Sequence, residues 1–283
     1  MLKLAIQKSG RLSENSLRLL QEMGIEFKHE TNKLRNESLN FPLEILFLRD
    51  DDIPQYVEDG VADLGIIGEN IWLERTSTTQ KIKELGFGKC RLSFAVPKEI
   101  AFEDLTILEG KRIATTYPNI VQNFLNQRNI KADIHEISGS VEIAPSLGLA
   151  EVVCDIVSTG NTLTSNGLKE VATLLQSQAI LIASKDLASE KRQLLEKLLF
   201  RLESASRAKG HKYILLNAPI SQVDQISSIL PGMKSPTILP LSMEGWCSIH
   251  SVIAEKDFWE NIQLLKEAGA EGILVVPIEK MIL

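Results

Sequence analysis

The chain has 283 residues, 44% hydrophobic and 24% charged, with a formal net charge of −6. That is enough apolar chain for two or three packed units, and its acidic balance excludes a nucleic-acid surface, which needs a broad excess of Lys and Arg. No stretch reaches the roughly 18 apolar residues of a membrane span, and Lys3 interrupts the apolar opening, so a cytoplasmic protein outside membranes is expected.

Taken in chain order, Ser13 opens a helix whose apolar positions Leu17, Leu20 and Met23 share one face, with Gly24 as a left-handed stop. A strand over 43–48, a helix over 53–59 stopped by Gly60 and strands over 63–67 and 92–96 follow, Pro97 closing this part. The rhythm restarts with a strand over 112–116, a helix after Pro118, a strand over 132–137, a short helix over 141–149 and a strand over 152–158. A strand over 179–183 and a long helix over 187–207 return to the first part. Such alternation predicts an α/β class with largely parallel sheets, arranged as two facing lobes, 1–97 with 179–207 and 98–178, around a ligand cleft. After Gly210 the order becomes strand 213–217, helix 221–230, strands 237–241 and 248–254, helix 257–268 and strand 272–277. This is a βαββαβ module over 210–283, with a boundary near Lys209.

Cysteines 90, 154 and 247 are odd in number and far apart, and His29, His135, His211 and His250 are scattered. Neither a disulfide framework, a zinc site nor a Ser-His-Asp arrangement is predicted, and the chemistry is expected not to depend on a protein nucleophile or a protein-caged metal.

The most informative segment is Cys154-Asp155-Ile156-Val157-Ser158-Thr159-Gly160-Asn161-Thr162, a strand ending in small polar residues before a helical pattern. Backbone amides at such a turn are unpaired and can hold a phosphate. Gly160 permits the tight turn, Ser158, Thr159 and Thr162 add hydroxyls, and Asp155 offers a carboxylate to vicinal ribose hydroxyls. A sugar phosphate satisfies all of these groups. The competing reading is an ordinary helix entry capped by Thr162 or Asn161.

The neighbouring stretch from Glu136 through Ser138-Gly139-Ser140 and Glu142 to Glu151 resembles the signature region of ATP phosphoribosyltransferases. So do Leu4-Ala5-Ile6-Gln7-Lys8-Ser9-Gly10-Arg11-Leu12, Ala62-Asp63-Leu64-Gly65-Ile66-Ile67-Gly68-Glu69-Asn70 and the tail module, covering nearly the whole chain in the same order. The resemblance implies a two-lobed catalytic unit like that of type II periplasmic binding proteins, a C-terminal ACT-like regulatory domain, and assembly into dimers and hexamers. It implies the transfer of a phosphoribosyl group from phosphoribosyl pyrophosphate to ATP with magnesium, at the start of histidine biosynthesis and under histidine inhibition. The tail marks the long form, which works without the synthetase-like partner of the short form.

Carried over residue by residue, the resemblance gives Lys8, Arg11 and Asp155 catalytic roles, and Asp155 with Ser158, Thr159, Gly160, Asn161 and Thr162 the binding of phosphoribosyl pyrophosphate. Arg11, Asp63, Gly65, Gly68, Glu69, Tyr117 and Glu142 would contact ATP, and Ser235, Thr237, His250 and Ser251 would contact inhibitory histidine. Other phosphoribosyltransferases carry two adjacent acids before the phosphate loop, whereas Cys154 precedes Asp155 here, so the magnesium ligands stay unassigned. Two other readings fit a two-lobed chain with a tail module: a ligand-trapping receptor, which would carry an export signal, and an amino-acid-responsive regulator, which would show a basic face.

Overall fold

The computed structural model describes residues 1–28, 34–230 and 232–283; His29 lies outside the described residues. It divides into two compact units, Met1–Gln21 with Ile25–Leu195, and Glu22–Gly24 with Glu196–Leu283.

The first unit opens with β1 (Leu2–Gln7), α1 (Arg11–Glu22), β2 (Arg35–Glu37), β3 (Leu43–Leu48), α2 (Ile53–Glu58), β4 (Leu64–Gly68), α3 (Glu69–Glu74) and β5 (Gln80–Glu84). It continues with β6 (Cys90–Pro97), β7 (Arg112–Thr115), α4 (Pro118–Arg128), β8 (Asp133–Glu136), β9 (Val152–Val157), α5 (Asn161–Ser165), β10 (Leu168–Ser177), β11 (Ala179–Ala183) and the start of α6 (Ser189–Ala208). Two sheets result, a six-stranded one in the order β2-β3-β1-β4-β11-β5 and a five-stranded one in the order β10-β6-β9-β7-β8. The expected α/β fold forms, with the expected two lobes present as two sheet bodies. Its central strands are apolar throughout because both faces are covered: β11 is buried at every position and β4 at all but its last. Gly65 belongs to that packing, since a Cβ there would stand 2.6 Å from Ile53 Cγ2 on α2.

Several local expectations change. Helix α1 begins at Arg11, so Ser13 lies within it and is buried. The helix expected over 141–149 is a single tight turn, Val141–Ile143; Pro145 has no amide to donate to Val141 and so cannot continue it. Strand β6, expected to close the first lobe at Pro97, pairs antiparallel with β9 and β10 and belongs to the five-stranded sheet. The chain therefore passes between the sheets at 85–89 and returns at Gln178.

In the second unit, β12 (His211–Pro219), α7 (Val223–Ile229), β13 (Thr237–Pro240), β14 (Trp246–Ala254), α8 (Phe258–Glu267) and β15 (Glu271–Pro277) realise the expected βαββαβ order. The antiparallel sheet runs β13-β14-β12-β15. Ile214, Leu216, Ile249 and Ile253 meet Ile226 of α7 and Leu265 of α8 in its core. The unit begins at Glu196 rather than near Lys209. Within it, the later turns of α6 are tied to the C-terminal segment, Met281 N–H donating to Ser204 O at 3.0 Å.

Candidate active site

In the first sheet β1, β3 and β4 run parallel, and in the second β7, β8 and β9 do. Open parallel sheets bind ligands beyond the carboxyl ends of their strands, and most of the expected residues lie there. Lys8 follows β1, its amide bonded to Leu48 O at 2.7 Å, and Arg11 opens α1; both side chains are exposed. Gly68 ends β4, and Glu69 beside it accepts from Lys81 Nζ at 2.6 Å. Thr116 and Tyr117 follow β7, and Ser158 follows β9.

A cleft of about 770 Å³ lies between the two sheet bodies, lined by Asp50, Asp51, Glu74 and Arg75 from one and by Thr116, Tyr117, Glu136 and Ser138 from the other; of the expected site residues its lining includes Tyr117, not Lys8, Arg11, Gly68, Glu69, Asp155 or the turn at Ser158. Direct bonds cross it. Asn70 Nδ2 donates to Tyr117 Oη at 3.1 Å, while Ser177 Oγ donates to Asn70 Oδ1 at 2.9 Å and accepts from the Asn70 amide at 3.1 Å. Glu74 accepts from the amides of Asn119 at 2.9 Å and Ile120 at 3.0 Å. Burial raises the Glu74 carboxyl above its ordinary value, against the pull of those amides.

Asp155 meets the cleft through Thr116 Oγ1, which donates to its Oδ1 at 3.5 Å. Burial raises its carboxyl above the usual range, and the charge of Glu142 adds to that. Tyr117 is pushed up too, first by burial and then by the charge of Asp155, so it remains a neutral phenol. The site thus pairs a desolvated carboxylate with a desolvated hydroxyl.

After β9 the chain turns through Gly160, at φ 84°, into α5. Gly160 is the N-cap and no side chain caps this helix, so neither Thr162 nor Asn161 takes the capping role of the competing reading. The leading amides of the turn have no acceptor one turn back, and Ser158, Thr159, Asn161 and Thr162 are exposed. Arg91, paired with Glu170 through two 2.5 Å bonds, also reaches Ser158 O at 3.4 Å.

Two expected ATP contacts lie elsewhere. Asp63 precedes β4, at the end of the strand away from Gly68, and its carboxylate accepts from the Lys3 amide at 2.8 Å and from Lys191 Nζ at 2.7 Å. Gly65 is enclosed in the packing of the sheet against α2. Conversely, Glu74, Asn119 and Ser177 escaped sequence reasoning because their partners are 45 to 107 residues away.

Among the described residues no group of three or more His, Cys, Asp or Glu side chains is placed to hold a metal ion. Magnesium that enters with polyphosphate substrates is held largely by their own oxygens and waters.

In the second unit Thr237 and His250 are register partners on one face of the sheet. His250 bonds Tyr213 Oη through Nδ1 at 2.9 Å and Ser248 Oγ through Nε2 at 3.1 Å. Ser235 is exposed on the approach to β13, whereas Ser251 is buried at 5% exposure and donates to Leu230 O at 3.3 Å, on the opposite face from His250.

A family model described as ATP phosphoribosyltransferase matches residues 49–204, and the model of that family's C-terminal domain matches residues 208–280. The chain belongs to the ATP phosphoribosyltransferase family. It is therefore a pentosyl-transferring enzyme of histidine biosynthesis. The ATP phosphoribosyltransferase of Cytophaga hutchinsonii is 56% identical over 281 residues, 99% of this chain and 98% of that protein. That of Bacteroides thetaiotaomicron is 54% identical over 282 residues, covering 100% of both chains. Among solved structures, an ATP phosphoribosyl transferase (HisG:HisZ) complex from Thermotoga maritima matches with a TM-score of 0.62 and 30% identity, over 72% of this chain and 97% of that chain. The match to the C-terminal domain model accords with the long form of the family.

Proposed function

We propose that the chain transfers the 5-phosphoribosyl group of phosphoribosyl pyrophosphate to N1 of ATP, releasing pyrophosphate, and that histidine inhibits it through the second unit. One observation carries this reading: Asp155, desolvated in the second half of β9, is followed from Ser158 by an uncapped turn with Gly160 in the left-handed region. A carboxylate for the ribose diol thus adjoins amides for the 5′-phosphate. Lys8 and Arg11, exposed beyond the carboxyl end of β1, suit the pyrophosphate or triphosphate. Tyr117, Gly68 and Glu69 suit the nucleotide, with Glu142 close enough to act on Asp155 electrostatically. Asp63 and Gly65 are left out because their contacts are spent within the fold.

In the reaction the bond from C1 to the pyrophosphate oxygen breaks, its electron pair leaving with pyrophosphate, and the N1 lone pair forms the new C–N bond. No protein nucleophile is required. The residues hold two anionic substrates in line and stabilise the departing charge, and positioning of that kind supplies up to about 7–11 kcal/mol. Asp155→Asn keeps the shape and removes the charge, so turnover falls by on the order of 10²-fold. Because the Asp155 carboxyl is raised by burial, its charged form opposes folding at neutral pH. The Asn variant therefore melts no lower than the unmutated chain. Phosphoribosyl-ATP formation, followed by ultraviolet absorbance with pyrophosphatase present, decides it; unchanged turnover in Asp155→Asn sinks the assignment.

For the second unit, Ser235, Thr237 and His250 suit a small amino acid, and the exposed Leu239, Leu274 and Val276 on the same sheet suit a homo-oligomeric contact. Ser251 is left out because it faces the core. The free cysteines at 90, 154 and 247 accord with a cytoplasmic, reducing setting.

A further inference from the structure

Helix α4 begins without a cap of its own. Tyr117 stands at its N-cap and makes no side-chain capping bond, so the amides of the second and third helical residues, Asn119 and Ile120, need an acceptor from outside. Glu74, the last residue of α3 in the other sheet body, provides both oxygens: Asn119 N–H donates to Oε1 at 2.9 Å and Ile120 N–H to Oε2 at 3.0 Å. Asn119 Nδ2 donates back to Glu74 O at 3.0 Å. Glu74 is 8% exposed and borders the cleft. The cap of α4 is thus divided, with acceptors on the six-stranded side and donors on the five-stranded side.

We propose that Glu74 is a positioning residue for phosphoribosyl transfer: by capping α4 from across the cleft it fixes the two sheet bodies at the separation at which Asn70 of the six-stranded side reaches Tyr117, beside Asp155 on the five-stranded side. This rests on the ribosyl-transfer reading of Asp155. Parting the bodies would expose two helix amides and one carboxylate at once, so closure of the cleft and capping of α4 are a single event. Tyr117 is the residue immediately before the capped turn, and Thr116 Oγ1 is already 3.5 Å from Asp155 Oδ1, at the limit of hydrogen-bond reach. The bond from Asn70 Nδ2 to Tyr117 Oη, 3.1 Å long, spans the two bodies and would be lost if they parted. The turn after β9 lies wholly on one body, and its hold on the sugar phosphate needs no partner across the cleft. The cost of losing Glu74 therefore falls on turnover and spares the affinity for phosphoribosyl pyrophosphate.

The test compares the full chain with Glu74→Gln and Glu74→Ala. Gln keeps the shape and one acceptor oxygen, and the backbone bond from Asn119 Nδ2 survives in both. The expected result is a fall in kcat of about ten- to a hundredfold for Ala, a smaller fall for Gln, KM for phosphoribosyl pyrophosphate within about twofold of the unmutated chain, and lost hydrogen-exchange protection at the Asn119 and Ile120 amides. Unchanged kcat in Glu74→Gln, retained amide protection in Glu74→Ala, or KM rising in step with the loss of kcat overturns the inference. Should Glu74→Ala fail to fold, the Gln variant decides alone. An unmutated chain that forms no phosphoribosyl-ATP would instead overturn the transfer reading, and that control keeps the two failures apart.

Discussion

Gly68 and Asn70 are coupled by a single steric fact that a double-mutant cycle can read. A Cβ on Gly68 would collide with Asn70 Oδ1, and the next-nearest atoms, Cγ at 3.4 Å and Nδ2 at 3.7 Å, belong to the same side chain. Gly68 has φ −70° and ψ 138°, which alanine adopts freely, so Gly68→Ala carries no backbone strain. What it does is evict the Asn70 side chain, which is 7% exposed and holds one bond to Ser177 and one to Tyr117. Two largely buried hydrogen bonds at about 1 kcal/mol each give a cost of about 2 kcal/mol, or a fall in Tm of about 4–8 °C for a unit of this size. Asn70→Ala should cost about the same. The double variant should cost no more than Asn70→Ala alone, because the atoms that the new Cβ meets are gone, giving a coupling of about 2 kcal/mol. Thermal and urea unfolding of the four proteins measures it. Additive losses would refute the reasoning, since they would mean that Gly68 is required for something other than room for Asn70.

Gly160→Ala should cost about 1–2 kcal/mol from the left-handed φ of 84° alone, because its nearest foreign atom, Val157 Cγ1, is 3.9 Å from the new Cβ. The displaced turn should raise KM for phosphoribosyl pyrophosphate more than KM for ATP in steady-state kinetics. The hydrogen bonds of Arg112 hold the Glu151 carboxyl down to about 2 from 4.5. A depressed carboxyl contributes stability that is present above its unfolded value and lost as pH falls toward about 2. The side chains are 41% and 36% exposed, so solvent screening keeps the contribution small, and Arg112→Met should flatten the pH dependence of the urea midpoint across that acid range only slightly. His250→Ala should weaken histidine inhibition roughly 5- to 150-fold without changing turnover in its absence, as read from inhibition curves; an unchanged curve would remove His250 from the sensor.

How much was legible follows the range of each interaction. The α/β alternation was readable because strands such as β4 and β11 are buried and carry continuous apolar runs. The turn at Gly160 was readable for the same reason: strand, small polar residues and helix are consecutive. Strand β10 was not, because it is an edge strand with register shifts at 170/172 and 173/175 that break its alternation. The lobe boundary was misread because Pro97 ends β6 locally, while what assigns β6 to a sheet is pairing with Val153–Val157 and with β10, some 60 to 80 residues on.

Glu74 shows what kind of signal a single sequence still offers. A carboxylate in the last turn of a helix faces carbonyls with nowhere to send its charge, and α3 has no basic residue there to offset it. Forty-odd residues later, Tyr117-Pro118 opens a helix with no capping side chain of its own. Each is a local inconsistency in a chain that is elsewhere consistent, and the two are complementary: one has an acceptor too many, the other two donors too many. Natural sequences keep such conflicts mainly where function demands them. Here the two defects cancel across the cleft, at 2.9 and 3.0 Å, beside the residue that would hold the ribose. A defect that is satisfied when two parts of a molecule come together favours that approach over separation, because parting them leaves the Glu74 carboxylate and the amides of Asn119 and Ile120 without each other.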